Sequence, residues 1–270
     1  MSPGQRRVAD YLVEHHHDAA FLPAAKVGEA SGVSESLVVR FAASLGYAGY
    51  PGLTRDLQAL VRARLSLPER LQQRPTDLTA QTPAAEVWRA VAALDRTNLE
   101  STLADTAPAL ERVLTAMLGA KTIYLVGLRG AAHLAALFGL LLDKAGAEVR
   151  VLTSGDVALF DHLRHLTSDD LLFAFSFARY TRRTVEALRL AGSRGAATVA
   201  VTDSPAAPAA AEADVNLSVR LASASFQHSY TAVVSLMNAL LVGWTLRAAE
   251  RTMASLEAIE AVLPLDEFLS

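Results

Sequence analysis

Ala24-Ala25-Lys26-Val27-Gly28-Glu29-Ala30-Ser31-Gly32-Val33-Ser34-Glu35-Ser36-Leu37-Val38-Val39-Arg40-Phe41 has the spacing of two short helices joined by a tight glycine turn. Small residues at Gly28 and Ala30 let one helix approach the other closely, and Gly32 relieves the backbone where the chain reverses. Val27, Val33, Val38 and Phe41 supply an apolar inner face, which leaves the other face free. Ser34 stands where an N-cap side chain accepts an orphan amide of the second helix, and Gly46 stands where a left-handed residue ends it.

Helical patterns flank this pair, from Pro3 to about His15 and from Pro51 to about Leu65, so residues 1–66 read as one small all-α domain. Between Leu67 and Pro83 the apolar periodicity fades while Pro68, Gln72, Gln73, Pro75, Thr76, Asp77 and Pro83 accumulate, the composition of a linker over residues 67–83. Residues 84–270 form the second expected domain. Helices run from about Ala84 to Ala104 and from Pro108 to Gly119. The pattern then changes to short apolar runs: Thr122–Val126, Glu148–Leu152, Leu171–Phe175, Ala197–Val201 and Asp214–Ser218. With helices at Ala131–Gly146 and Thr181–Gly195 between them, right-handed crossovers give a doubly wound five-stranded parallel sheet, so the fold class is α/β. Pro205–Ala211 reads as a short helix with its approach loop, and the apolar stretch from about Phe226 to Ala249 closes the domain as one long helix.

The 270 residues, 51% hydrophobic and 20% charged, fit a globular chain with a sizeable core. Without cysteine there are no disulfides, thiolate ligands or thiol nucleophiles, which fits a reducing, cytoplasmic setting. No apolar run reaches the ~18 residues of a membrane span, and the first residues lead into an amphipathic helix, so neither a membrane nor secretion is expected. A net charge of -3 argues against a uniformly basic nucleic-acid binder but leaves room for a small reading head on an acidic body.

In a helix-turn-helix the second helix enters the major groove of double-stranded DNA, and its early outward positions meet base edges and phosphates. Here these are Ser34, Glu35, Ser36, Val39 and Arg40, with Lys26 placed for a backbone contact. Arg40 has the fork that matches guanine or a phosphate. On spacing alone a helical protein-interaction bundle stands equally open. Three separated blocks carry a resemblance that weighs between the two: Ser34-x-x-Leu37-Val38-Val39-Arg40-Phe41, Leu45-Gly46-Tyr47-x-Gly49-Tyr50-Pro51 and Arg7-Val8-Ala9-Asp10-Tyr11. Over residues 1 to about 250 the chain resembles the RpiR/MurR family of bacterial transcriptional regulators, which join an N-terminal helix-turn-helix to a sugar isomerase (SIS) domain. Leu37 departs from it, since the family usually carries Thr there.

A second constellation sits at the strand ends, where an open parallel sheet places its ligand crevice. The turns Val126-Gly127-Leu128-Arg129-Gly130-Ala131, Thr153-Ser154-Gly155-Asp156 and Ser176-Phe177-Ala178-Arg179-Tyr180-Thr181 offer hydroxyls, amides and helix N-termini suited to an anion. Each alone also reads as an ordinary strand-to-helix turn. Together, over about residues 110 to 250, they resemble the SIS phosphate cradle, whose third loop commonly reads Ser-x-Ser-Gly-x-Thr. Ser176 and Thr181 correspond, Ala178 and Arg179 replace the inner serine and glycine, and Arg129-Gly130 stands near the place of the first loop's usual serine. The exchange of hydroxyls for guanidinium groups, with Arg182 and Arg183 close by, turns a neutral cradle cationic. The expected ligand is a small anionic effector, phosphorylated or carboxylated, held by Arg129, Ser154, Ser176, Arg179 and Thr181. Arginines facing solvent or a subunit boundary are the alternative.

His15-His16-His17 reads as a solvated helix end, because consecutive helical residues point ~100° apart and share one ion poorly. No metal, cofactor or catalytic residue is assigned. His133 and His228 fall near the crevice, each as a ligand contact, a base or a buried core histidine, whereas Glu148 and Glu186 lack paired carboxylates. Val233, Val234, Leu236, Met237, Leu240, Leu241 and Trp244 offer more apolar surface than one sheet face needs, which suggests a homodimer or homotetramer with paired heads on palindromic DNA. The resemblance implies a ligand-responsive transcription factor. A sugar-phosphate isomerase or lyase using the same crevice is the alternative, and a helical interaction module on a metabolite sensor is a third reading.

Overall fold

The computed structural model describes residues 1–72 and 74–262. Gln73, residues 263–270 of the expected second domain and the side chains of residues 17, 18, 59, 60 and 62–64 lie outside the described residues. The chain divides into two compact units, residues 1–66 and 67–270.

The first unit holds α1 (Pro3–Glu14), α2 (His16–Ala19), α3 (Ala24–Ser31), α4 (Glu35–Ser44) and α5 (Tyr50–Arg64). A capping box starts α1: Ser2 Oγ accepts from Gln5 N, and Gln5 Oε1 accepts from Ser2 N at 2.8 Å. Val8, Leu12, Val27, Val38, Phe41, Tyr50 and Leu53 pack into one core, with Val33 only partly buried against it. Gly32, at φ 67°, ends α3, and Gly46, at φ 91°, follows the end of α4. Two expectations change. Ser34 does precede α4 in extended conformation, but its side chain makes no cap bond and lies 3.0 Å from Ser36 Oγ instead. Ala30 is exposed, so the close helix approach rests on Gly28 alone, where a Cβ would meet Val33 O at 2.9 Å.

Two tyrosines make this unit sensitive to alkali. Tyr50, 5% exposed, donates its O–H to Leu22 O at 3.0 Å, and burial pushes its phenol up to about 12. Burial, with the Asp56 carboxylate beside it, pushes Tyr47 up to about 12 as well. Unfolded phenols ionise near 10, so their contribution is intact below about pH 10 and is lost as pH rises through about 12. Tyr50 alone accounts for about 2 kcal/mol. In an alkaline titration followed by circular dichroism, the first unit's helices should melt between about pH 10 and 12, less steeply in Tyr50→Phe.

The second unit is a five-stranded all-parallel sheet of order β2-β1-β3-β4-β5, with β1 Ile123–Gly127, β2 Val149–Leu152, β3 Leu171–Ser176, β4 Ala197–Thr202 and β5 Val215–Ser218. Its helices are α6 (Leu67–Gln72), α7 (Ala84–Thr106), α8 (Leu110–Gly119), α9 (Ala132–Lys144), α10 (Val157–Leu163), α11 (Arg182–Ser193), α12 (Thr231–Arg247) and α13 (Ala249–Val262). The strand period of two sorts the central apolar runs onto two faces. Ile123, Leu125, Phe173, Phe175, Val199 and Val201 pack with α8, α9 and α12, whereas Tyr124, Val126, Leu172, Ala174 and Ala200 pack with α10 and α11. Phe138, Phe173 and Phe175 form an aromatic cluster with centroids 5.3 to 6.3 Å apart.

Three expectations are corrected here. The segment read as a linker begins with α6, and it belongs to the second compact unit. The long helix expected from about Phe226 to Ala249 is α12, which starts later, at Thr231, and ends at Arg247, where the chain bends by 102° into α13. The seven apolar residues read as surplus all pack into or against the core, and the large apolar residues exposed on α12 are Val242 and Leu246. Among the described residues no single helix is long and apolar enough to cross a membrane.

Candidate functional site

The first unit presents Ser34, Glu35, Ser36, Val39 and Arg40 together on the exposed side of α4 and its N-terminal approach, while Val38, Phe41 and Ala42 face the core. Helical periodicity causes this separation. Val39 is 40% exposed, a small apolar contact among polar neighbours. Lys26 is exposed and paired with Glu29 at 2.8 Å, which raises the lysine's pKa and lowers the glutamate's. Such an exposed i,i+3 pair is weak enough to give way to a phosphate. Leu37 lies against α1 so closely that a Cβ at Gly4 would meet its Cδ2 at 2.6 Å, so this side chain serves packing. Of the histidines, the His15 ring packs on Tyr11 at 4.9 Å and His16 Nδ1 lies 3.1 Å from Val13 O. Among the described residues no group of three metal-ligating side chains occurs.

In the second unit the chain leaves β1 toward β2 on one side and then crosses back to β3 on the other, so the loops after β1 and β3 part and open a crevice. A cavity of about 170 Å³ lies there, lined by Leu128–Ala131 after β1, by Ser176–Arg179 and Thr181 after β3, and by Arg70, Thr184, His228 and Tyr230. It is below the ~300–1,000 Å³ of clefts for drug-sized ligands, a size suited to a small metabolite. Arg129, Ser176, Arg179 and Thr181 are brought together as expected. Ser154 is not: it is exposed and does not line the cavity. The strand order explains this, since β2 lies on the far side of β1 from β3, one strand spacing from the crevice. Asp156 in the same loop already caps α10, accepting from Ala158 N at 3.0 Å.

The cavity is rich in donors. Ser176 is 4% exposed, and its Oγ has no hydrogen-bond partner among the described residues. The α9 and α11 helices begin beside it without side-chain caps, although the amides of Ala132 and Thr184 already donate to Arg129 O and Thr181 O. Arg129 adopts φ 58°, an uncommon left-handed conformation outside glycine, in a 3-10 turn spanning Arg129–Ala131. Sequence reasoning missed Arg70, which half-buries its guanidinium in the cavity wall with Nε and Nη2 unpartnered among the described residues. Burial and the neighbouring Arg179 guanidinium both press against its charged form. The Pro at the second position of Leu67-Pro68-Glu69 and the acidic residue after it were its available signal, a helix start inside a proline-rich stretch.

The histidines separate. His133 is exposed and outside the cavity wall, whereas His228 lines it. His228 Nε2 lies 2.7 Å from Ala178 O, a distance that calls for an Nε2–H donating to the carbonyl. Burial lowers its pKa, with Arg70 adding to the effect, so it is neutral near pH 7. Asp203, after β4, accepts from Ala178 N at 3.2 Å, and burial raises its carboxyl above the usual range. Arg182 and Arg183 stay out of the cavity: both are exposed, and Arg183 pairs with Glu186 at 3.0 Å over the Phe160 ring.

A helix-turn-helix head followed by a doubly wound parallel-sheet domain with a donor-rich crevice defines a two-part regulator class. Residues 1–62 match the helix-turn-helix domain of the rpiR family, and residues 116–243 match the SIS domain. The sugar isomerase domain of the RpiR transcription factor from Sphaerobacter thermophilus is 32% identical, with a TM-score of 0.62 over 64% of this chain and 97% of that one. The uncharacterized HTH-type transcriptional regulator YbbH of Bacillus subtilis is 27% identical over 224 residues, 80% of this chain and 75% of its own. Vibrio vulnificus NanR, solved in complex with ManNAc-6P, shares the fold at 22% identity and a TM-score of 0.62, over 98% of this chain and 94% of that one. The chain belongs to the rpiR family of helix-turn-helix transcriptional regulators with an SIS domain.

Proposed function

We propose that the protein reads double-stranded operator DNA through Ser34, Glu35, Ser36, Val39 and Arg40, with Lys26 on the phosphate backbone, and that a small anionic metabolite controls it from the second unit. The observation that carries the effector half is the unpartnered Ser176 hydroxyl in a cavity walled by Arg129 and Arg179, with Thr181 at its edge. A phosphate or carboxylate supplies the acceptors these donors lack. The sugar phosphate bound to NanR belongs to that chemistry. The protein acts in the cytoplasm, as a homodimer or homotetramer whose paired heads meet half-sites about 34 Å apart. It binds without turning over its ligand, a reading supported by the helix-turn-helix domain and by relatives named as transcriptional regulators.

The test is operator affinity, by fluorescence anisotropy on duplexes selected from random DNA, with and without hexose phosphates and organic acids. Arg40→Ala should weaken specific binding by about 10- to 100-fold and relax the preference at one position. An anion that shifts operator affinity must bind the free and DNA-bound arrangements differently. Retention of no duplex even at low salt, or turnover of a sugar phosphate by the purified protein, would overturn this reading.

A further inference from the structure

The helix that directly follows the first unit in the chain places a cation in the effector cavity. No residue of α6 is buried, and Leu67 and Leu71 remain 39% and 41% exposed. Arg70 nevertheless turns inward, with buried Nε and Nη2 atoms that have no partner among the described residues. Its Nη1 lies 3.2 Å from His228 Nε2. That nitrogen carries the hydrogen directed at Ala178 O, so it has no lone pair to offer the guanidinium. Arg70 thus lines one small space with Ser176 and Arg179, where the nearby Asp203 carboxylate favours its charge while burial and the Arg179 guanidinium oppose it more strongly.

We infer that Arg70 is a third guanidinium of the anion site, selecting a doubly charged head group, and that occupancy of the cavity fastens α6 to the second unit. The inference rests on the anion reading above and names the element through which binding acts. A buried, desolvated guanidinium facing another is unfavourable until an anion lies between them. A phosphate monoester, near −2 at neutral pH, offsets that repulsion better than a monocarboxylate and presents oxygens to both forks. Because α6 buries no residue fully and only Arg70 reaches inward, the added hydrogen bonds are a large share of what holds it. Ligand binding is then felt in residues 67–72, next in the chain to the head that reads DNA.

The experiment uses the full chain, with inorganic phosphate as the dianion and acetate as the monoanion. Binding is read by phosphorus NMR and calorimetry, and α6 by hydrogen exchange of the amides in 67–72. Wild type should bind phosphate in preference to acetate and slow exchange in α6. Arg70→Gln should weaken phosphate by about 10- to 100-fold and abolish that protection, with an unchanged melting curve for the second unit. Arg70→Lys should recover only part of the affinity, because a point charge lacks the fork. Phosphate binding of equal strength in Arg70→Gln, or binding in wild type without protection of 67–72, overturns the role of Arg70 and leaves the anion site standing. If neither anion binds the wild type at high millimolar concentration, the anion site fails, and Arg70 with it.

Discussion

Gly28→Val is expected to abolish operator recognition while leaving the second unit folded. A Cβ at residue 28 meets Val33 O at 2.9 Å, Glu35 N at 3.1 Å and Ser34 C at 3.3 Å, all backbone atoms of the turn into α4. None can rotate away, so α3 and α4 must part, and valine adds two further methyl groups. Overpacking of this kind costs about 1–3 kcal/mol, well beyond the few tenths that valine recovers over glycine in helix propensity. At about 4–8 °C per kcal/mol for a unit of this size, the first unit's melting should fall by about 3–20 °C. The displaced α4 carries Glu35, Ser36, Val39 and Arg40 with it, so specific binding should drop on the order of 100-fold or more, as if one or two base contacts were lost. Anion binding by the second unit should be unchanged, since the two units are separately compact. Wild-type DNA affinity in Gly28→Val would show that the turn does not set the reading helix.

What the sequence made legible follows the strength of each local signal. All five strands fall within about one residue of their expected bounds, because strands covered on both faces read as unbroken apolar runs. The helix pair was legible for a similar reason, with glycine at the turn and apolar residues at helical spacing. Ser154 was assigned to the crevice because a loop's position along the chain does not reveal strand order. Only the sheet, with β2 outside β1, shows that the second loop opens elsewhere. Arg70 was hidden by composition: prolines and glutamines on either side made a six-residue helix look like linker. The end of α12 at Arg247 was legible to within two residues, whereas its start at Thr231 was not, since the apolar pattern already begins near Phe226. The orphan hydroxyl of Ser176 is a property of three-dimensional packing that no spacing rule encodes.

The cavity between β1 and β3, which we propose holds the effector, depends on a second close approach, and Gly127→Ala should expose it. Gly127 ends β1 opposite Phe175 of β3, and a Cβ there meets Ala131 O at 2.4 Å, Ala131 C at 2.9 Å and Ala135 Cβ at 2.8 Å. Relief requires the 3-10 turn Arg129–Ala131 and the start of α9 to move away from the strand, and that turn is one wall of the cavity. The expected cost is about 2–3 kcal/mol, or about 4–12 °C in the melting of a unit of this length. Gly192→Ala provides the contrast, because residue 192 lies in α11 with nothing within 4 Å of a new Cβ. Helix propensity should make that change neutral or stabilising by up to about 1 kcal/mol. Even where Gly127→Ala remains folded, anion affinity should fall at least about tenfold, since a shift approaching 1 Å misplaces Arg129 against a fixed Ser176. Calorimetry on the two variants separates the causes. Reduced stability with unaltered anion binding would place the ligand away from the β1 turn, whereas loss of both ties the crevice between β1 and β3 to the effector.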